Sequence, residues 1–321
     1  MLDIIVPRYR EPWETGEKLF QIINLQRGIR FEDLRVLLIH DGTEPFPEEN
    51  FRGLRFRVEQ VVIEHGGVSA ARNAGIDRAT ADWIMFCDFD DMFTNVYALR
   101  DVLSVLPCDY DMLWSDLMVE DRTNGNDIIY NTPERQRFVF LHGKVYRRQF
   151  LIDQTIRFDE SMTFQEDSLF NATITARTDY HRIGHIKAPM VPYVWIRRKG
   201  STTNSGRDDE AVYWHFRRNL TVTEENWGDP DKYAGMVTRT AYDAYFMCKG
   251  HRATDEMKRK IADEFRPWIA ERIEQFGMVS KGIMKQLVDV SRYELLDPDE
   301  RVPAHPGHVM EWIKEIIREG D

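Results

Sequence analysis

Short apolar runs alternate with mixed segments along the opening third of the chain. "LDIIVP" (Leu2–Pro7) is a β-branched run closed by proline and predicts a buried strand. From Glu14 to Gln26, Leu19, Ile22, Ile23 and Leu25 recur at roughly helical spacing, with Thr15 as the expected cap. "LRVLLIHDGTEPFP" (Leu34–Pro47) predicts a second buried strand, stopped by Asp-Gly and then prolines. "RVEQVVIEHGG" (Arg57–Gly67) reads as a third strand, "SAARNAGIDRA" (Ser69–Ala79) as a small-residue helix and "DWIMFCD" (Asp82–Asp88) as a fourth strand. This order implies an α/β fold with a mostly parallel, Rossmann-like sheet and crossover helices. Such sheets bind ligands beyond the carboxyl ends of their strands. Pro7–Tyr9, His40–Thr43 and Asp88–Asp91 all fall at such ends, so they are expected to be neighbours.

Beyond Asp91, a helical stretch (Val96–Leu106) mixes with expected strands at Tyr110–Glu120 and Arg137–Arg148. Pro189–Ser205 reads as a last strand and a polar loop, and from about Asp208 the pattern turns helical. A boundary is expected near Gly206, giving residues 1–206 (halves 1–95 and 96–206) and a helical C-terminal region, 207–321.

The chain has 321 residues, 42% of them hydrophobic and 12% aromatic, enough for a sizeable core. A net charge of −11 argues against a dedicated nucleic-acid scaffold. The three cysteines are odd in number and lack CxxC spacing, which disfavours a disulfide framework or zinc site and fits a cytoplasmic protein. The N-terminus reads as a strand rather than a signal peptide. No stretch approaches the ~18 apolar residues that would suggest a membrane span.

The chemistry concentrates in "CDFDDM", where Asp88, Asp90 and Asp91 follow an apolar run. From an extended segment, Asp88 and Asp90 would point the same way. Two such carboxylates can hold Mg²⁺ or Mn²⁺, and the ion in turn a diphosphate. The plainer reading is a solvated acidic turn that caps the next helix.

Four motifs, in order and at ordinary spacing, resemble the nucleotide-sugar half of family 2 glycosyltransferases, enzymes of the GT-A fold. "IIVPRYR" matches a Pro-x-Tyr-Asn strand end, with Arg10 replacing Asn. "LIHDGT" matches Asp-Asp-Gly-Ser, with His40 replacing the first Asp. "GGVSAARNAG" matches the Ala-Arg-Asn helix almost fully, and Asp88–Asp91 match Asp-x-Asp-Asp. The resemblance implies nucleotide-sugar contacts at Pro7, Tyr9, Asp41, Arg72 and Asp88, with the metal on Asp88 and Asp90. Further along, "FDESMTFQEDSLFN" (Phe158–Asn171) matches a family Glu-Asp pair. It implies Asp167 as general base and Glu166 beside it, although both residues could equally serve to start a helix. "YVWIRRKGSTTNS" resembles a basic loop over the diphosphate and points to Arg197, Arg198, Lys199 and Ser201, while Trp195 offers either a sugar-stacking face or core packing. His142 could touch donor or acceptor, or simply pack in a strand.

The resemblance thus implies an inverting transfer from a nucleotide sugar, UDP-linked by preference, to a glycan or cell-surface polymer precursor. A hydroxymethylated DNA base is a less favoured acceptor, permitted by Arg197–Lys199 with Arg207, Arg217 and Arg218. A nucleotide-sugar-binding module without catalysis is a further alternative, opposed by the intact Asp88, Asp90 and Asp167. The C-terminal helices are expected to offer a surface for homo-oligomerisation.

Overall fold

Apolar side chains on both faces suit strands covered on both sides by helices. In the computed structural model, residues 1–123, 127–132, 140–188, 192–198, 208–226, 228, 230–250, 253–273 and 306–319 are described. β1 (Leu2–Arg8), β2 (Leu34–Asp41), β3 (Arg57–Ile63) and β4 (Trp83–Phe86) pair in parallel. β1 continues through Pro7 rather than stopping there. Ile5 O accepts from Cys87 N on the β4 side, and alternation turns Pro7 to that same side, past the end of β4 pairing. The missing N–H of Pro7 therefore costs no ladder bond.

α1 (Trp13–Asn24) begins before Thr15, which is not its cap; Pro12 occupies that position. α2 (Gly67–Arg78) owes its small residues to close packing on the sheet: a Cβ on Gly75 would lie 2.3 Å from Ile5 Cγ2. The strands alternate with period two. Ile4, Val6, Val36, Leu38 and Met85 pack with Leu19, Phe20 and Ile23 of α1. Ile5, Leu37, Ile39, Ile84 and Phe86 face the opposite layer, with Ala71 and Ile76 of α2.

The elements that follow are β5 (Met92–Phe93), α3 (Ala98–Leu103), β6 (Met112–Trp114), β7 (Leu117–Arg122), β8 (Ile129–Asn131), β9 (Lys144–Arg147), α4 (Arg148–Asp153), α5 (Glu166–Arg177), β10 (Ile183–His185) and β11 (Tyr193–Arg198). They complete a seven-stranded sheet in the order β10-β6-β9-β4-β1-β2-β3 and build a second sheet, β5-β11-β7-β8. β9 is antiparallel to both its neighbours; the other pairings of the large sheet are parallel. The single strand expected over Tyr110–Glu120 is two strands in different sheets, parted at Ser115–Asp116. The Ser115 backbone N–H and Oγ both donate to Gly143 O, at 2.8 and 2.9 Å, and fix the bend. Part of the strand expected at Arg137–Arg148 lies outside the described residues; β9 is its described portion.

Contacts divide the chain into two units, Met1–Ser205 and Gly206–Asp321. The second contains α6 (Asp208–Glu224), α7 (Pro230–Lys249), α8 (Asp255–Ala270) and α9 (Pro306–Arg318). Its core includes Phe216, Val237, Phe246, Ile261, Phe265 and Ile313. Among the described residues, no helix is long and apolar enough to cross a membrane.

Candidate active site

β4 ends at Phe86, and the acidic segment beyond it is not extended. Asp91 N–H donates to Asp88 O at 3.1 Å and closes a turn. Phe89 fills the core side of this turn so tightly that a Cβ on Gly16 of α1 would lie 2.3 Å from its ring. The common direction expected for Asp88 and Asp90 is therefore lost. Instead the turn sends Asp88 and Asp91 to His142, and Asp90 to Arg198 on β11. His142 Nε2 lies 3.4 Å from Asp88 Oδ2 and 3.5 Å from Asp91 Oδ2. One ligand atom from each of the three residues lies within 4.8 Å of the others.

Asp91 is buried and anchors the second sheet: its Oδ2 accepts from Tyr193 OH and its Oδ1 from Ile196 N, both at 2.8 Å. Burial raises its pKa well above the ordinary range, and Asp88 and Asp90 add to this. Burial also works against ionised Asp88, but Arg72 and His142 outweigh it and hold that carboxyl well below the usual range. Asp90 is raised by burial and by Asp88, against the pull of Arg198. The His142 ring stacks on Trp195 at 5.3 Å, and its buried Nδ1 has no hydrogen-bond partner among the described residues. Sequence reasoning gave His142 little weight because nothing local marks it. It reaches the site through the Gly143 bend, where φ is +70° and a Cβ would lie 2.6 Å from Ser115 Oγ.

Arg72 is buried on α2 and spans two elements. Its Nη2 donates to Asp88 Oδ1 at 3.0 Å and its Nη1 to Glu166 Oε1 at 2.7 Å. Next to it, Asn73 Nδ2 donates to Phe158 O and to Glu160 Oε1, and Asn73 Oδ1 accepts from Phe158 N. The Arg-Asn pair thus fastens the segment that leads into α5. Gln165, just before that helix, takes a left-handed conformation at φ 63°, and Glu166 and Asp167 form the first turn. Burial, with Glu166 alongside, pushes the Asp167 carboxyl up to about 7, against the pull of Arg72. Lys144, buried on β9, feels Asp167 as a stabilising charge, yet burial lowers it to about 7. Sequence reasoning missed Lys144, because its pattern is that of an ordinary strand residue.

At the ends of β1 and β2, Tyr9 and Asp41 both meet His65, while Pro7 pairs with Ile39 within the ladder. The Tyr9 ring stacks on His65 at 4.4 Å. Asp41 accepts from His65 Nδ1 at 2.9 Å, Gly66 N at 2.7 Å and Gly67 N at 3.0 Å, which ties down the start of α2. His40 is fully buried. Gln60 Oε1 accepts from its Nε2, which leaves Nδ1 to accept from Arg8 Nη1. Burial lowers its pKa to about 4, Gln60 opposing and Arg8 adding to the fall, so at neutral pH it is an uncharged brace for Arg8. Arg197 pairs with Asp121 at 3.1 Å, while Lys199 and Ser201 lie outside the described residues.

Residues 3–162 match the model of glycosyl transferase family 2. The minor teichoic acid biosynthesis protein GgaA of Bacillus subtilis (strain 168) is 28% identical over 189 residues, 53% of this chain and 42% of that protein. An uncharacterized glycosyltransferase, YibD of Escherichia coli (strain K12), is 22% identical over 305 residues, 85% of this chain and 86% of that one. The chain spans 55% of another relative, the uncharacterized glycosyltransferase EpsJ of B. subtilis. In fold, the chain is similar to residues 1–349 of S. aureus TarS, whose crystal structure holds UDP. The TM-score is 0.63 at 17% identity, covering 100% of this chain and 92% of that one. By its motifs, its GT-A fold and the match over residues 3–162, this chain belongs to glycosyl transferase family 2.

Proposed function

We propose that the protein transfers a sugar from a UDP-linked donor to a hydroxyl of a glycan or cell-surface polymer precursor, with inversion at the anomeric carbon. The observation that carries this is the Arg72 bridge, which holds the Asp88 turn and the start of α5 in one site. Support for the donor comes from TarS, solved with UDP and with UDP-GlcNAc, and for the acceptor class from the names of GgaA and of TarS, a poly(ribitol-phosphate) β-N-acetylglucosaminyltransferase.

In this reading Pro7, Tyr9 and Asp41 shape the pocket for uracil and ribose, Tyr9 through its ring and Asp41 by fixing the turn at His65–Gly67. Asp88 and Arg72 line the donor side and Arg198 faces the diphosphate, while Ser201 lies outside the described residues. Asp167 accepts the proton of the attacking hydroxyl as that oxygen bonds to the anomeric carbon and the diphosphate leaves with the bonding pair. Its raised pKa suits the task, since a base near neutrality is both available and strong enough to act. Glu166 orients the site through Arg72.

The donor set of Asp88, Asp91 and His142 fits a divalent ion, and an oxygen-rich set with one imidazole suits Mn²⁺ better than Mg²⁺. Asp90 is not part of this set and is drawn instead to Arg198. A bound ion supplies charge neutralisation for the departing diphosphate.

A nucleotide panel tests the reading. UDP raises the melting temperature more than ADP, GDP or CDP, and the gain is larger with Mn²⁺. A ligand at 100 times its Kd contributes about 2.7 kcal/mol. Equal shifts for all four nucleotides would refute recognition of the base.

A further inference from the structure

The large sheet extends to both sides of the acidic turn. Tyr9 and Asp41 stand at the ends of β1 and β2, the turn follows β4, and β9, β6 and β10 continue the sheet on the far side. There the register aligns Lys144, Trp114 and His185 in one row across β9, β6 and β10, so the three side chains leave the same face. Tyr146, Met112 and Ile183, each two residues away on the same strand, pack with Phe170 and Ile174 of α5, which fixes the row on the α5 face. The helix also begins at this end, because Arg72 ties Glu166 to Asp88. Tyr146 OH donates to Asn171 Oδ1 at 2.8 Å; about one helical turn back from Asn171 is Asp167, and two residues back from Tyr146 is Lys144. The row therefore stands beside the first turn of α5, on the flank away from Tyr9 and Asp41.

Trp114 and His185 stack with ring centroids 3.8 Å apart and planes 13° from parallel. Trp114 is only partly buried and belongs to none of the apolar clusters among the described residues, although Met112 and Leu113 before it each belong to one. His185 Nε2 lies 3.6 Å from Oδ2 of Asp116, whose side chain is 65% exposed and so open to a ligand. Ser115, bonded to Gly143 O, holds this group next to His142. An aromatic pair kept out of the core, with a solvated carboxylate beside it, suits one ligand chemistry. The C–H face of a pyranose is apolar and packs on an aromatic ring, while its hydroxyls donate to a carboxylate. We infer that Trp114, His185 and Asp116 form a subsite for a pyranose ring of the acceptor. The strand order gives the ring its role. A donor anchored over β1 and β2, with its diphosphate at the turn after β4, leaves the β9, β6 and β10 flank to the incoming hydroxyl. Assignment to the acceptor rests on the nucleotide-sugar reading; the affinity for a sugar ring does not.

The full chain is tested, with and without UDP, by saturation-transfer difference NMR. The probes are the methyl β-pyranosides of glucose, galactose and N-acetylglucosamine, with ribitol as the acyclic control. The parent is expected to transfer saturation to the ring C–H protons of at least one pyranoside, and Trp114→Ala to abolish that signal. Asp116→Asn alters an exposed side chain while keeping its shape, and is expected to weaken the same pyranoside about tenfold at an unchanged melting temperature. This second variant keeps the test decisive should Trp114→Ala fail to fold. The thermal shift that UDP gives is expected to be the same in Asp116→Asn as in the parent. The subsite is overturned if the parent gives no pyranoside signal, if either folded variant binds the pyranosides as the parent does, or if ribitol gives the same Trp114-dependent signal. A parent that binds a pyranoside through these residues but gains no stability from UDP would refute the nucleotide-sugar reading and leave the sugar subsite standing.

Discussion

Asp167→Asn separates stability from catalysis in a way the site geometry dictates. The carboxyl is held up to about 7 in the folded chain, against an ordinary value of 3.8, because burial and Glu166 disfavour its charge. The folded state therefore binds more protons than the unfolded state between these values, and this group's contribution to stability falls as pH rises through that window. Each pH unit within it costs about 1.4 kcal/mol. Asparagine does not titrate. The difference in stability between variant and parent should thus grow by about 2–3 kcal/mol from pH 5 to pH 7.5 and then level off. For a unit of this size that corresponds to roughly 5–10 °C in melting temperature. Any constant penalty of the amide shifts the whole curve and leaves its slope intact. Calorimetric melting of both proteins across this range measures the slope directly. Turnover should fall about 10²–10⁴-fold if Asp167 is the base, with UDP affinity preserved. A flat difference across the range would refute the buried, strained carboxylate; near-parent turnover would move the base to another residue, Glu166 first.

His142→Ala and Asp88→Asn should each abolish the Mn²⁺-dependent part of UDP stabilisation, read by thermal shift; if His142→Ala retains it, the ion belongs to Asp88 and Asp90. Gly143→Ala should lower stability by about 2 kcal/mol, from the left-handed φ together with displacement of Ser115 Oγ. A urea midpoint equal to that of the parent would contradict this.

The opening α/β pattern was legible because buried parallel strands are written as continuous apolar runs, and β2 is buried at every position. Arg72 and Asp41 were marked by motif, but their bonding was not legible. Asp41 is occupied by the backbone of Gly66 and Gly67, and Arg72 by two carboxylates 16 and 94 residues away. The acidic turn was misread as extended, since nothing in "DFDD" distinguishes a strand end from a turn that closes on itself. The second sheet was invisible. β5 has two residues and so no periodicity, and β7 and β11, its longest pair, lie far apart in the chain. Tertiary convergence of this kind also hid Lys144 and the pairing of Arg122 with Arg198, and left His142 with little weight.

Asp91 carries one further consequence. Its two oxygens hold Tyr193 OH and Ile196 N, so a strand 105 residues away is fastened to the same turn that presents Asp88 to His142. The Ile196 amide is therefore a built-in reporter. Its hydrogen-exchange protection depends on how firmly the Asp91 carboxylate is held, and whatever tightens that turn, an ion or a nucleotide, slows the exchange of a backbone proton in the other sheet. Occupancy of the site can be followed at one amide, without a substrate and without turnover.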